Sequence, residues 1–168
     1  MIHHIFEKDS RTLRLIILTH GNCNFRCLYC YEKFENIGMN QKTMNSIFDF
    51  AEEKIKSGNF ENFLVSLFGG EPLLGYKTIQ YLSPKFQLLA SQYGLNYNSD
   101  MTTNGYLLDN RKAQKLITDY KCTNFQITLD GTAESHDKQR VLQNGSSSFE
   151  RIYKNLLNLP MVLVENFQ

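Results

Sequence analysis

The sequence predicts an α/β fold in which parallel strands alternate with helices. Short apolar segments typical of strands are followed by longer segments whose apolar residues recur every three or four positions. This alternation is typical of strand–helix units that build a parallel sheet. The length of 168 residues fits one domain, since domains commonly contain about 100 to 200 residues.

The first two strand–helix units are predicted from apolar runs and stripes. The first strand is predicted at residues 12–19, where a nearly continuous apolar run indicates burial on both faces. A helix then ends before Gly58, and the second strand is predicted at residues 63–68. The second helix contains Pro84, which we expect to break or kink it. The helix stripes are Met44, Ile47, Phe48, Ala51 and Ile55, and then Ile79, Leu82, Phe86 and Leu89.

The later units are shorter. A polar third strand is predicted at residues 97–102, and Asp109 is placed to cap the helix that follows it. The fourth strand is predicted at residues 125–129, and residues 161–164 are predicted to begin a fifth. Between these two strands, the apolar stripe of another helix consists of Phe149, Ile152, Tyr153, Leu156 and Leu157.

Charge and hydropathy narrow the classes of partner. The 18 basic and 17 acidic side chains give a formal charge of +1, which gives no indication of a nucleic-acid partner. No apolar run is long enough to span a membrane, and the first residues lack the pattern of a secretory signal. We therefore expect a cytoplasmic protein that binds neither nucleic acid nor a membrane.

Three of the four cysteines, Cys23, Cys27 and Cys30, lie close together directly after the first predicted strand. In a reducing compartment this spacing favours metal binding over disulfides, and soft thiolates suit iron–sulfur clusters. Three thiolates leave one iron of a four-iron cluster without a protein ligand, whereas structural zinc sites usually close with four ligands. The alternative is a zinc site completed by one of Cys122, His3, His4 and His20.

Further polar motifs follow the later predicted strands. Gly-Gly-Glu-Pro occupies residues 69–72, Thr-Thr-Asn-Gly residues 102–105, and Leu-Asp-Gly residues 129–131, with His-Asp-Lys-Gln-Arg at residues 136–140. In parallel α/β folds, sites are built where the strands end. We therefore expect these segments to meet the cysteines at one edge of the sheet. Taken singly, a charged residue among them, Glu71, Asp130 or Arg140, is more typical of a solvated surface or a helix cap than of a site.

The cysteine spacing, with aromatic Tyr29 before the last cysteine, and the later motifs in this order resemble the radical S-adenosylmethionine (radical SAM) superfamily. The resemblance covers about residues 13–159 and is strongest to the branch with a C-terminal cysteine-rich SPASM domain, which includes sulfatase maturases and peptide-modifying maturases. It implies a partial (β/α)6 barrel, TIM-like in its strand–helix repeats, and supports the polar third strand. We expect residues 1–168 to be an N-terminal portion of a radical SAM core domain, truncated after about the fourth unit and lacking the SPASM domain.

The resemblance also implies the cofactors and partners. Cys23, Cys27 and Cys30 would hold a [4Fe-4S] cluster, whose open iron would chelate the amino and carboxylate groups of S-adenosylmethionine. Reductive cleavage would give methionine and a 5′-deoxyadenosyl radical that abstracts a hydrogen atom from a peptide or protein substrate. The electron would come from a donor such as flavodoxin or ferredoxin.

The remaining predicted site residues surround this cofactor. Gly69 and Gly70 allow the backbone to approach a ligand, and Glu71 offers an acceptor for an amine. Arg140 has the planar fork suited to a carboxylate. The resemblance places residues 69–71 at the methionine amino group. It further implies Tyr29 near the adenine, Thr128 at the ribose, Asn104 near the cofactor, and Asp130 near the substrate or a ribose hydroxyl.

Two other hypotheses remain open at this point. Without later strands, the fourth or fifth strand exposes an edge and the substrate has no cover. Such a chain is a catalytically incompetent fragment that binds a cluster only. The third hypothesis is a zinc-stabilised binding module.

Overall fold

A four-stranded parallel sheet forms the centre of the computed structural model, which describes residues 11–35 and 37–159. Strands β1 (Thr12–His20), β2 (Asn62–Gly69), β3 (Asn96–Thr103) and β4 (Cys122–Ile127) are hydrogen-bonded in the order in which they occur in the chain. All three pairings are parallel. The predicted α/β fold is confirmed, and the fifth strand predicted at residues 161–164 lies outside the described residues.

Helices connect successive strands. Helices α1 (Gln41–Ser57), α2 (Tyr76–Gln92) and α3 (Asn110–Thr118) lie between the strands in sequence, while α4 (Ala133–Gln139) and α5 (Phe149–Leu157) follow β4. Because every connection returns the chain to the start of a parallel strand, the carboxyl ends of all four strands lie at one edge of the sheet. No helix in the described ranges is long and apolar enough to cross a membrane.

The starts of α1 and α3 are set by polar side chains. The predicted cap Asp109 accepts a hydrogen bond from the amide of Lys112 at 2.8 Å, which satisfies a donor that the first helical turn leaves unpaired. Burial by itself would raise the pKa of Asp109, but the hydrogen bonds and charge of Lys112 hold it below its usual value. Asn40 caps α1 in the same way, by accepting from the amide of Thr43 at 2.9 Å.

Helix α2 runs through Pro84 without a break, so of the two expected effects, a break or a kink, the break does not occur. Proline removes one backbone donor from a helix and crowds the preceding turn. On both sides of Pro84, however, the predicted stripe of α2 is buried against the sheet, and packing of an amphipathic face supplies most helical stability in proteins. The buried residues of this stripe are Ile79, Leu82, Phe86 and Leu89.

Strand β1 is buried on one face, so the prediction of burial on both faces is wrong for the described residues. Ile17 and Thr19 are buried on the face that packs against the helices. Ile16 and Leu18, on the opposite face, are 63% and 55% exposed. No described segment covers that face of the sheet, which we call the open face.

Strand β4 begins and ends earlier than predicted, at Cys122 and Ile127. Ile127 pairs with Thr103, the last residue of β3, so the ladder ends there. Beyond the strand, the amide of Asp130 donates a hydrogen bond to Nδ1 of His136 at 3.3 Å. Helix α4, which carries His136, was not predicted. It is short and polar, and it is capped by Thr132, whose side chain accepts from the amide of Ser135.

The main core lies between the sheet and helices α1 to α3. At its centre Phe63 of β2 is fully buried, with its ring edge-to-face against Phe86 of α2 at 5.3 Å and Tyr97 of β3 at 5.7 Å. Full burial of an aromatic side chain of this size stabilises a fold by about 2 to 3 kcal/mol. A smaller core consists of Cys23, Phe25, Leu142 and Ile152, and Cys27 packs against it.

We expect Phe63→Ala to lower the free energy of unfolding by about 3 to 5 kcal/mol, because the lost contacts leave a cavity at the centre of the core. The measurement is urea denaturation followed by circular dichroism. Phe50→Ala is the matched control, since Phe50 on α1 is 47% exposed. Equal losses of stability in the two variants would contradict this placement of the core.

Candidate functional site

The loops at the carboxyl edge of the sheet converge on a cavity of about 250 Å³. One wall is formed by the cysteine loop, which we define as residues 21–34 after β1. The cavity is lined by all three predicted metal ligands and most of the predicted cofactor residues. These are Cys23, Cys27, Cys30, Tyr29, Gly69, Gly70, Asn104, Thr128 and Arg140. Glu71 and Asp130 lie outside the lining.

The cysteine loop is held in place by antiparallel pairing with residues 139–143, which follow α4. The amide of Arg26 donates to the carbonyl of Val141 at 2.8 Å, and the amide of Gln143 donates to the carbonyl of Asn24 at 2.8 Å. These bonds satisfy backbone groups that a free loop would leave to water. The sulfur-bearing loop is thereby attached to the chain that follows the fourth strand.

The three cysteines differ in their exposure to solvent. Cys23 is buried, Cys27 is half-buried and Cys30 is exposed. Burial raises the pKa of the Cys23 thiol to about 11. Burial also raises the pKa of Cys27, although the positive charge of Arg140 opposes that rise. A metal deprotonates a thiol that coordinates it, so metal binding at this site releases protons.

The metal-ligating groups that line the cavity are the sulfurs of the three cysteines, which are soft ligands. In the described part of the chain, no three His, Cys, Asp or Glu side chains are grouped to hold one metal ion. An iron–sulfur cluster instead takes its thiolates on separate irons. Cys122 lies at the start of β4, at the opposite edge of the sheet from the cysteine loop, and is buried in the main core. His20 uses Nδ1 to accept from the amide of Asn22 at 3.0 Å.

Gly69 and Gly70 pack directly against the backbone around the cysteine loop. A Cβ at Gly69 would lie 2.5 Å from the carbonyl oxygen of His20, and the φ of this residue is +126°. A Cβ at Gly70 would lie 2.5 Å from the carbonyl oxygen of Asn22. Side chains larger than hydrogen are therefore excluded at both positions. The glycines that line the cavity also let β2 approach the residue before Cys23.

Glu71 faces the protein interior and is fully buried. Its Oε1 accepts from the hydroxyl of Thr103 at 2.7 Å and the amide of Leu73 at 3.0 Å. Its Oε2 accepts from the amide of Asn104 at 2.9 Å. Burial raises the pKa of this carboxyl even though all three hydrogen bonds favour the ionised form. The side chain therefore positions Asn104 at the end of β3 and does not reach the cavity.

Asn104 connects Glu71 to the sulfur of Cys23. Its Nδ2 donates to Oδ1 of Asn24 at 2.9 Å and lies 3.6 Å from Sγ of Cys23. The same sulfur accepts from the amide of Phe25 at 3.3 Å. Hydrogen bonds to a ligating sulfur tune the potential of an iron–sulfur cluster. Asn24 and Phe25 were not predicted as site residues; their position between the first two cysteines is the signal that would have indicated them.

Arg140, Tyr29 and Asp130 form a hydrogen-bonded series beside the cavity. Arg140 is 8% exposed, and its Nη1 donates to the hydroxyl of Tyr29 at 2.7 Å. The Tyr29 hydroxyl donates to Oδ2 of Asp130 at 2.7 Å. Burial raises the pKa of Tyr29, and the bond to Asp130 raises it further. Nε of Arg140 is buried and has no hydrogen-bond partner among the described residues, an arrangement that fits an anionic group in the cavity.

Comparison with known proteins bears on the family of the chain. The family model described as the Radical SAM superfamily matches residues 17–162. The chain is 28% identical over 160 residues to the cysteine-type anaerobic sulfatase-maturating enzyme of Clostridium novyi (strain NT), covering 90% of this chain and 41% of that enzyme. It is 29% identical over 150 residues to the serine-type anaerobic sulfatase-maturating enzyme of Bacteroides thetaiotaomicron, covering 80% of this chain and 33% of that enzyme.

A solved structure shares the fold. Native anSMEcpe with bound AdoMet and Kp18Cys peptide superposes with a TM-score of 0.70 at 23% identity, covering 88% of this chain and 40% of that one. The chain thus spans less than half the length of these relatives. Because the family model matches most of the sequence, and the cysteine motif and glycine segment lie on one cavity, the chain belongs to the Radical SAM superfamily.

Proposed function

We propose that this chain binds a [4Fe-4S] cluster through Cys23, Cys27 and Cys30 and binds S-adenosylmethionine in the adjoining cavity. The observation that carries the proposal is that the three sulfur-bearing residues and the nearly buried Arg140 line one cavity at the carboxyl edge of the sheet. When bound, the cluster and S-adenosylmethionine would supply radical chemistry, in which one-electron reductive cleavage of the sulfonium leads to hydrogen-atom abstraction from the substrate.

The residues of the chain bind and orient these groups. Arg140 pairs with the methionine carboxylate, using the donor that has no partner among the described residues. Gly69 and Gly70 line the cavity with backbone, which meets the methionine amino group, and Asn104 donates toward Cys23 on the cluster. Tyr29 lies near the adenine by family resemblance. Thr128, on the same cavity, is assigned to the ribose, and Asp130 to a ribose hydroxyl or the substrate.

The substrate class is a peptide or protein. This assignment is supported by the sulfatase-maturating relatives and by the solved structure of anSMEcpe with a bound peptide. A flavodoxin or ferredoxin of the cytoplasm would supply the electron. The chain itself needs no general base for the hydrogen-atom abstraction, so its contribution is to position the cofactor and exclude competing reactions.

A second candidate function is cofactor binding without turnover. It is favoured by the open face of the sheet, on which Ile16 and Leu18 are exposed. A substrate radical needs a site closed to water. If this candidate is correct, the 168-residue chain takes up iron and releases no 5′-deoxyadenosine. A longer version that covers the open face would then release it.

We expect Cys27→Ala to abolish cluster binding and the release of 5′-deoxyadenosine, because the two remaining thiolates, Cys23 and Cys30, do not hold the cluster. The measurements are iron content and visible absorption after anaerobic reconstitution, followed by reduction and product analysis with S-adenosylmethionine. Cys122→Ala is the control and should keep the iron, since Cys122 lies in the main core. A colourless parent protein that contains one zinc ion would contradict the proposal.

We expect Arg140→Met to raise the dissociation constant of S-adenosylmethionine about 10- to 100-fold while the iron content stays unchanged. The reason is that a hydrogen-bonded charge opposite a carboxylate contributes about 1.5 to 3 kcal/mol. Anaerobic calorimetry of the cluster-loaded protein measures this constant. Arg111→Met, which removes the same charge from the exposed start of α3, should leave it unchanged. Equal affinities of the parent and the Arg140 variant would show that Arg140 does not bind the cofactor.

A further inference from the structure

A closed ring of hydrogen bonds connects the cavity to helices α4 and α5. The amide of Asp130 donates to Nδ1 of His136 at 3.3 Å. Nε2 of His136 lies 3.1 Å from the hydroxyl of Ser148, which donates to the carbonyl of Arg140 at 2.8 Å. The side chain of Arg140 donates to Tyr29, and Tyr29 donates to the carboxylate of Asp130. The ring thus returns to the residue from which it started.

The donors and acceptors of this ring determine the tautomer of His136. A backbone amide can only donate, so Nδ1 must be the unprotonated acceptor. The hydrogen of the neutral imidazole is therefore on Nε2 and is donated to the Ser148 hydroxyl. That hydroxyl keeps its own hydrogen for the carbonyl of Arg140. Every hydrogen in the ring therefore has one acceptor, and the series of donors ends at the carboxylate of Asp130, which only accepts.

The surroundings of His136 favour this neutral form. The side chain is fully buried, and burial, followed by the charge of Arg140, lowers its pKa, although Asp130 and Asp137 oppose this. The ring of Phe149 packs edge-to-face on the imidazole at 5.5 Å. A protonated Nδ1 would point a donor at the amide of Asp130, and the ring of bonds would open.

Asp137 connects helix α4 to the start of helix α5. Its Oδ1 accepts from the amides of Ser148 and Phe149 at 2.8 and 2.9 Å. Burial by itself would raise the pKa of Asp137, but these two hydrogen bonds hold it below the usual value. The start of α5 is therefore fixed to α4, and the backbone of Ser148 is held beside Arg140.

We propose that this ring positions Arg140 and Tyr29 for cofactor binding, with His136 as a neutral Nε2–H imidazole and Ser148 as the connection to the backbone of Arg140. His136 and Ser148 are positioning residues, since neither lines the cavity. Arg140 donates to Tyr29 through Nη1, and its Nε has no partner among the described residues. The orientation of the guanidinium therefore depends on the bond to Tyr29, which belongs to the ring. The identity of the ligand, S-adenosylmethionine, rests on the proposed function; the ring itself does not.

The first test determines the tautomer of His136 in the unaltered chain. Protein labelled with ¹⁵N on histidine is measured at neutral pH by long-range ¹H–¹⁵N correlation, which distinguishes the two neutral tautomers and the cation. We expect the Nε2–H form. An Nδ1–H tautomer or an imidazolium would overturn the ring, whether or not the chain binds iron.

The second test opens the ring at two places. Ser148→Ala and Tyr29→Phe should each raise the dissociation constant of S-adenosylmethionine about two- to tenfold in the cluster-loaded chain, which is the usual effect of one lost hydrogen bond. In the double variant, the dissociation constant should rise by less than the product of the two single fold-changes, because the first substitution has already opened the ring. Ser148→Thr keeps a hydroxyl and should restore affinity.

Matched controls remove the same atoms elsewhere. Ser146→Ala alters an exposed serine in the turn before α5, and Tyr153→Phe alters a half-exposed tyrosine of α5. Both should bind S-adenosylmethionine like the parent. If the fold-changes of Ser148→Ala and Tyr29→Phe multiply fully in the double variant, the two residues act independently and the proposal is overturned. A Ser148→Ala variant that loses only unfolding free energy, with affinity unchanged, would also overturn it.

The two tests separate the proposals. If the parent chain shows the Nε2–H tautomer but binds neither iron nor S-adenosylmethionine, the proposed function fails and the ring stands as a structural feature. If the parent binds both and the tautomer is wrong, the proposed function stands and the ring fails.

Discussion

The buried carboxylate of Glu71 is the contact on which the site depends. It lies between β2 and β3 and accepts hydrogen bonds from the hydroxyl of Thr103 and the amides of Leu73 and Asn104. A charge taken out of water is tolerated only when such partners replace its hydration, and loss of one partner leaves an uncompensated buried group. The ends of two strands are therefore held at a fixed separation.

This contact determines where the first cysteine lies. Asn104, whose backbone is held by Glu71, places its side-chain amide 3.6 Å from Sγ of Cys23. On the other side, Gly70 lets β2 approach the carbonyl of Asn22. Cys23 is buried between these contacts, whereas Cys30 is exposed. The loop that carries three soft ligands is thus rigid at its start and more open at its end, where the cavity meets solvent.

Predictions from the sequence succeeded where one local pattern decided the structure. The apolar run of β1, the helix at α5 and the cap at Asp109 were placed correctly because neighbouring residues determine them. Of the predicted stripe of α5, Ile152 is buried, whereas Tyr153 and Leu157 are exposed. Helix α4 was missed because it is short, polar and held mainly by Thr132 and His136. The break expected at Pro84 did not occur because burial of the stripe on either side outweighs one lost backbone hydrogen bond.

The sequence by itself determined which chemical groups are present and at which edge of the sheet they meet. Cysteine spacing, glycine pairs and strand order are properties of the chain, and parallel strands bring their ends together in any such fold. Only the tertiary structure decided how these groups divide their work. It turned Glu71 toward Asn104 and away from the cavity, and it connected Arg140 to Tyr29. These outcomes depend on hydrogen bonds between residues far apart in the chain, whose directions no local pattern contains.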